Sequence, residues 1–86
     1  MSRIVVYSKG GCPFCSLLKM ELTKRDKEFE EVDLSDDAAR ALFYERIGAN
    51  TVPQLFLADD SHTVENPTGL RVGGWSEVSQ NWSVLG

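Results

Sequence analysis

The 86-residue sequence has only two cysteines, Cys12 and Cys15, and one histidine, His62. So few exclude a disulfide framework and fall short of the four cysteine and histidine ligands of a closed zinc site. Bases are scarce as well: nine Lys and Arg stand against 13 Asp and Glu, for a formal net charge of −4. That balance lacks the basic footprint of a protein that holds nucleic acid or an anionic membrane surface. No apolar run approaches the roughly 20 residues of a membrane-spanning helix. Strand-like sequence begins by Ile4, which is expected to leave no room for a signal peptide. Two cysteines without a secretory signal point to a reducing compartment, and a cytoplasmic location is expected. Linkers, internal repeats and low-complexity segments are also missing, and a length of 86 residues makes one domain over residues 1–86; a monomer is expected. A chain of this size buries only about 60–65% of its unfolded surface, enough for a thin core.

What the chain does have is punctuation between apolar runs. Residues 3–8 are apolar and β-branched and read as a buried strand. Lys9-Gly10-Gly11 reads as a loop, and a helix is expected to start at the cysteines, where Pro13 suits a first turn that needs no N–H. Phe14, Leu17, Leu18 and Leu22, with Cys15 beside them, recur at helical spacing, and the polar stretch 23–27 should end that helix. Residues 29–34 alternate apolar and acidic and suggest a second strand. Ser35 reads as the N-cap of a second helix with Asp36 and Asp37 at its positive end. Ala39, Leu42, Phe43 and Ile47 are expected to form its buried face, and Gly48 its C-terminal cap. Residues 53–57 read as a third strand. Asn66-Pro67-Thr68-Gly69 is a turn signal, and 70–73 the returning strand. Ser76 is expected to cap a short last helix ending near Leu85, with Trp82 inward. The order βαβαββα predicts an α/β fold, a four-stranded mixed sheet flanked by three helices.

Cys12-Pro13-Phe14-Cys15 carries the chemistry. A cysteine at a helix N-terminus faces unpaired N–H groups and the positive dipole end, which stabilise thiolate over thiol. Cys12 is expected to be the exposed nucleophile, and Cys15, one turn in, the buried resolving thiol. Cys12 would attack a disulfide and Cys15 would then attack Cys12. Two bland alternatives remain at this point: half of a zinc site, or two unrelated core thiols.

Tyr7-Ser8-Lys9-Gly10-Gly11-Cys12-Pro13-Phe14-Cys15, Thr51-Val52-Pro53-Gln54 and Gly73-Gly74-Trp75-Ser76-Glu77 together resemble the three signatures of the glutaredoxins. The resemblance covers nearly the whole chain. Phe14 replaces the more usual tyrosine, and Glu77 the usual aspartate. The resemblance implies a thioredoxin-like fold and a glutathione-dependent thiol-disulfide oxidoreductase, active in electron transport and cell redox homeostasis. Glutathione would be the co-substrate, with no metal. The substrates would be glutathionylated proteins or protein disulfides, such as that of ribonucleotide reductase.

It further implies a cis bond at Val52–Pro53, with the Val52 backbone pairing with glutathione. Thr51 belongs to the same segment. Lys9 and Arg40 would face the glycine carboxylate, and the Ser76 and Glu77 N–H groups the γ-glutamyl carboxylate. Glu77 would also stand where the family meets the α-ammonium. Gly74 would permit close approach of backbone to ligand, and Phe14 would form an apolar wall. Trp75 and Trp82 read as packing residues and His62 as a loop residue without catalytic duty. The stretch 58–70 is longer than expected for the family and reads as an enlarged surface loop. Three rival readings are a hydrogen donor reduced by thioredoxin reductase, a glutathione-ligated [2Fe–2S] carrier, which Pro13 opposes by stiffening the loop, and a non-catalytic binding domain.

Overall fold

The first strand of the chain lies inside its sheet, not at an edge. The computed structural model describes residues 3–85. It places β1 at Arg3–Ser8, α1 at Pro13–Lys24, β2 at Phe29–Asp33, α2 at Asp37–Ile47, β3 at Gln54–Ala58, β4 at Gly69–Gly73 and α3 at Trp75–Ser79. A 3-10 turn at Trp82–Leu85 follows. The strands form one sheet in the order β2-β1-β3-β4. The crossover through α1 makes β1 and β2 parallel, while β3 runs antiparallel to both β1 and β4. The expected element order and mixed sheet are therefore present.

Every residue of β1 after Arg3 is buried, because helices cover both faces of the sheet. Strand alternation divides the core in two. Ile4 and Val6 join Leu18 and Leu22 of α1, Leu55 and Val78 on one face. Val5 and Tyr7 join Leu34, Phe43, Phe56 and Ala58 on the other. On that second face the Tyr7 ring stacks on Phe43 at 4.2 Å and meets Phe56 edge-on at 5.6 Å. These two apolar layers fix the height of the β1–α1 loop, and with it the cysteines.

The boundaries depart from the sequence reading in instructive ways. The N-cap of α2 is Asp36, not Ser35: Asp36 Oδ2 accepts the Ala39 N–H at 2.9 Å. Ser35 is already committed, donating to Asp33 Oδ1 at 2.5 Å and accepting the Gly10 N–H at 3.0 Å. Leu42 is 54% exposed, so α2 seats a narrower stripe than expected, with Phe43 buried and Tyr44 and Ile47 packed beside it. Gly48 caps the helix as expected, with φ 68°. Leu34 lies beyond the end of β2 yet stays in the core. β3 begins at Gln54 because Pro53 has no N–H to give a ladder, and it runs on to Ala58.

The last helix does not reach Leu85. Its N-cap is Gly74 rather than Ser76. Asn81 Nδ2 donates to the Glu77 carbonyl at 2.8 Å, the acceptor a continuing helix would offer to the Asn81 N–H. That N–H turns to Val78 O instead, and the chain tightens into the 3-10 turn. Trp82 does face inward, against the first core cluster, edge-on to Trp75 at 6.1 Å and under the Arg25 guanidinium at 4.0 Å.

The long β3–β4 connection is packed down rather than loose. His62 is only 6% exposed; its Nε2 lies 2.8 Å from Tyr7 Oη, and its Nδ1 lies 2.8 Å from Thr68 O. Arg3 reaches the Asp59 and His62 carbonyls. His62 is thus a loop residue, as read, and also the buried anchor of that loop.

Candidate active site

β1 ends at Ser8, and Lys9-Gly10-Gly11 turns the chain into α1. Cys12 is the N-cap of that helix, with extended backbone at φ −97° and ψ 110°, and Pro13 occupies the first turn. Cys12 Sγ accepts the Cys15 N–H at 3.2 Å, so the sulfur takes one of the orphan donors of the helix end. Its thiol points to Val52 O at 3.7 Å, across 40 residues of sequence. Both cysteines are free, and the pair is a dithiol.

The two sulfurs differ as the helix position demands. Cys12 is half-buried, whereas Cys15 is 1% exposed. Burial pushes the Cys15 thiol up to about 12, and its hydrogen bond with Cys12 acts in the same direction. A hydrogen bond from the Lys9 backbone and the charge of Lys19 pull the other way.

Beside Cys12 lies a cleft of about 260 Å³ lined by Phe14, Thr51, Val52, Pro53, Gly74, Trp75, Ser76 and Glu77. One wall is the 51–53 segment, whose Val52–Pro53 peptide is cis as expected. The buried Gln54 side chain holds that wall, donating to Thr51 O at 3.0 Å and to Thr51 Oγ1 at 3.3 Å. The other wall is the start of α3. Glu77 Oε1 accepts the Gly74 N–H at 2.8 Å. Gly73 makes room for that fold-back: at its φ of 122° a Cβ would sit 2.6 Å from Glu77 Oε1. A Cβ on Gly74 would come within 3.2 Å of Pro53 O, so this glycine lets the two walls approach each other. Phe14, 56% exposed, stands at the mouth.

Seven residues singled out in the sequence therefore share this cleft: Phe14, Thr51, Val52, Pro53, Gly74, Ser76 and Glu77. Lys9 lies on the exposed loop outside its lining. Arg40 is not brought to it either; its guanidinium donates to Leu34 O at 2.9 Å and to Asp37 Oδ1 at 2.7 Å. Sequence reasoning read Trp75 as packing alone. It packs on the core and also lines the cleft, and its place directly after the glycine pair was the available signal. A larger cleft of about 680 Å³ lies at the other end of the strands, among Arg3, Glu28, Phe29, Leu57 and Val84. The smaller cleft is the one adjoining the thiol chemistry, because the carbonyl of its lining residue Val52 lies 3.7 Å from Cys12 Sγ. Among the described residues no helix is long and apolar enough to cross a membrane.

Comparison with known proteins agrees with this geometry. The glutaredoxin family model matches residues 4–62. Glutaredoxin 3 of Escherichia coli is 31% identical over 78 residues, covering 81% of this chain and 94% of that one. The solution structure of a glutaredoxin from Brucella melitensis superposes with a TM-score of 0.71 at 30% identity, over 98% of this chain and 82% of the other. A buckwheat glutaredoxin–glutathione complex shares the fold, with a TM-score of 0.74 at 24% identity, over 96% of this chain and 70% of that one.

Proposed function

The chain belongs to the glutaredoxin family and carries the cysteine pair of a thiol-disulfide oxidoreductase, and from that premise we propose that glutathione is its co-substrate. The observation that carries this reading is the position of Cys12 Sγ, 3.7 Å from Val52 O at the side of the cleft between Val52-Pro53 and Gly74–Glu77. A tripeptide lying there would present its own sulfur to Cys12 while its backbone pairs with Val52. Its γ-glutamyl carboxylate would meet the Ser76 and Glu77 N–H groups. The Glu77 carboxylate keeps acceptor capacity for the α-ammonium beyond its bond to Gly74, since a carboxylate has about four acceptor sites. Lys9 would reach the glycine carboxylate from the loop. Arg40 would have to leave Asp37 to join it. The buckwheat complex supports glutathione as the ligand class.

On this reading the Cys12 thiolate attacks the glutathione sulfur of a mixed disulfide, and the protein thiol leaves. A second glutathione attacks the resulting Cys12–glutathione disulfide. It releases glutathione disulfide and restores Cys12. Protein disulfides take the dithiol route: Cys12 forms the mixed disulfide and Cys15 displaces the substrate thiol. Glutathionylated proteins and protein disulfides, that of ribonucleotide reductase among them, are the proposed substrates, and the proposed setting is a monomer in the cytoplasm.

The test is NADPH oxidation during reduction of a glutathionylated peptide, coupled either to glutathione with glutathione reductase or to thioredoxin reductase alone. Turnover is expected in the first arm. Turnover confined to the second would transfer the protein to the class of donors served by thioredoxin reductase.

A further inference from the structure

Outside the cleft, a polar cluster sits on the α1 side of the sheet beneath the cysteine pair. Strand alternation puts Ser8 on the same face of β1 as Ile4 and Val6, the face that α1 covers. Ser8 is 2% exposed, and its Oγ donates to Glu31 Oε2 at 2.7 Å. Glu31 stands on β2 opposite Val6. The same Glu31 oxygen receives Lys19 Nζ at 2.6 Å. Lys19 follows Cys15 by four residues on α1, one turn along the same side of the helix. On the other flank, the backbone of Lys9, the residue after Ser8, hydrogen-bonds Cys15. The cluster thus meets α1 one turn beyond the buried thiol and has no part in lining the cleft.

The resolving step makes a demand that this cluster meets. Cys15 must lose its proton inside the core, where burial opposes the thiolate. In the reduced protein the charged groups that bear on it are Cys12, which opposes ionisation, and Lys19, which favours it; in the mixed disulfide Cys12 carries no charge and Lys19 remains. A free lysine would spread its charge over many rotamers, whereas the Glu31 clamp fixes it. We propose that Lys19, clamped by Glu31 and Ser8, is a positioning residue for the resolving step, holding a fixed cation one helical turn from the thiolate that Cys15 must form before it attacks Cys12. The proposal rests on the dithiol route described above. In that step the Cys15 proton goes to solvent and its sulfur attacks Cys12 Sγ. The Cys12–Cys15 bond forms as the bond to the substrate sulfur breaks, and the substrate leaves with the electron pair as a thiolate. Lys19 and Glu31 are partly open to water, so screening keeps the effect modest.

A stopped-flow reaction of the reduced protein with 4,4′-dithiodipyridine tests it. Attack by Cys12 releases the first pyridinethione, and resolution by Cys15 releases the second. A one-unit rise in the Cys15 pKa costs about tenfold in thiolate and returns about threefold in nucleophilicity. Lys19→Met is therefore expected to slow the second phase about threefold relative to the first at neutral pH, and Lys19→Arg to restore it. Glu31→Gln should also slow the second phase if the clamp matters. Acceleration would mean that the carboxylate merely opposes the thiolate, and would overturn the clamp. An unchanged ratio of phases in Lys19→Met, or equal slowing of both phases without rescue by arginine, overturns the proposal. A wild-type protein that releases a single thione overturns the dithiol reading itself.

Discussion

At Cys12 the sulfur holds an amide donor from its own helix and faces the Val52 carbonyl, while three residues later Cys15 is almost fully buried. That difference assigns the labour. Cys12→Ser is expected to abolish turnover on every disulfide. Cys15→Ser should keep reduction of a glutathionylated peptide, which needs one thiol, and lose reduction of an intramolecular protein disulfide. Rates on both substrates for both variants check this; equal loss in the two variants on the glutathionylated peptide would sink it. Lys9, at the same scale, is exposed, and in the proposed role its charge would be screened by solvent. Lys9→Ala should raise the apparent KM for glutathione with little change in kcat, and the difference should shrink as salt is added. An effect independent of ionic strength would exclude a Coulomb role.

The helix termini show how side chains compete for the same backbone groups. Asp36 caps α2 because Asp33 and Gly10 already occupy Ser35. Asp36→Ala should lower the unfolding free energy by about 1 kcal/mol while leaving the cleft intact. A urea midpoint at the wild-type value would mean that the cap lies elsewhere. At the other end of the fold, α3 starts where it does because Gly73 adopts a positive φ and admits the Glu77 carboxylate. Gly73→Ala should cost about 1–3 kcal/mol in backbone strain and release the Glu77–Gly74 bond. Because α3 forms one wall of the cleft, it should also raise the KM for glutathione among molecules that remain folded. Loss of stability with an unchanged KM would separate the helix start from the cleft.

Over the whole molecule, two buried acids make the reduced protein sensitive to alkali. The Cys15 thiol is pushed up from 9.0 to about 12, chiefly by burial. The Tyr7 phenol is pushed up from 10.0 to about 12, again first by burial and then by the charge of Glu65. In both cases the folded value exceeds the unfolded one, so the contribution to stability is complete below the unfolded value. It is lost as pH climbs through the folded one. The urea midpoint of the reduced protein is expected to fall steadily from about pH 9 toward pH 12, with a shallower slope in Cys15→Ser. Tyr7→Phe should also flatten the slope, from a lower starting stability, since it leaves His62 Nε2 without its partner in the core. A midpoint flat to pH 12 in the wild type would contradict the burial of both groups. Because Tyr7 also holds His62, the same substitution should speed amide hydrogen exchange in the 59–68 loop.

What the sequence by itself determined was the local grammar: apolar runs, breakers, the cysteine spacing and the proline and glycine signatures. Those features depend on near neighbours, so β1, α1, the Gly48 cap, the inward Trp82 and the unequal cysteines were legible in order. Tertiary structure decided whatever depends on competition between distant partners. Asp33 and Gly10 took Ser35 and moved a cap, Asn81 took the Glu77 carbonyl and broke the last helix, and Tyr7 drew His62 into the core. It also decided which signature residues meet. Phe14, the 51–53 segment and the start of α3 converge because β1 and β3 are adjacent in one sheet, a pairing that no single segment encodes. Arg40, read as a ligand contact, donates instead to the Leu34 carbonyl ahead of α2 and to Asp37 in its first turn, partners that meet its charge close by.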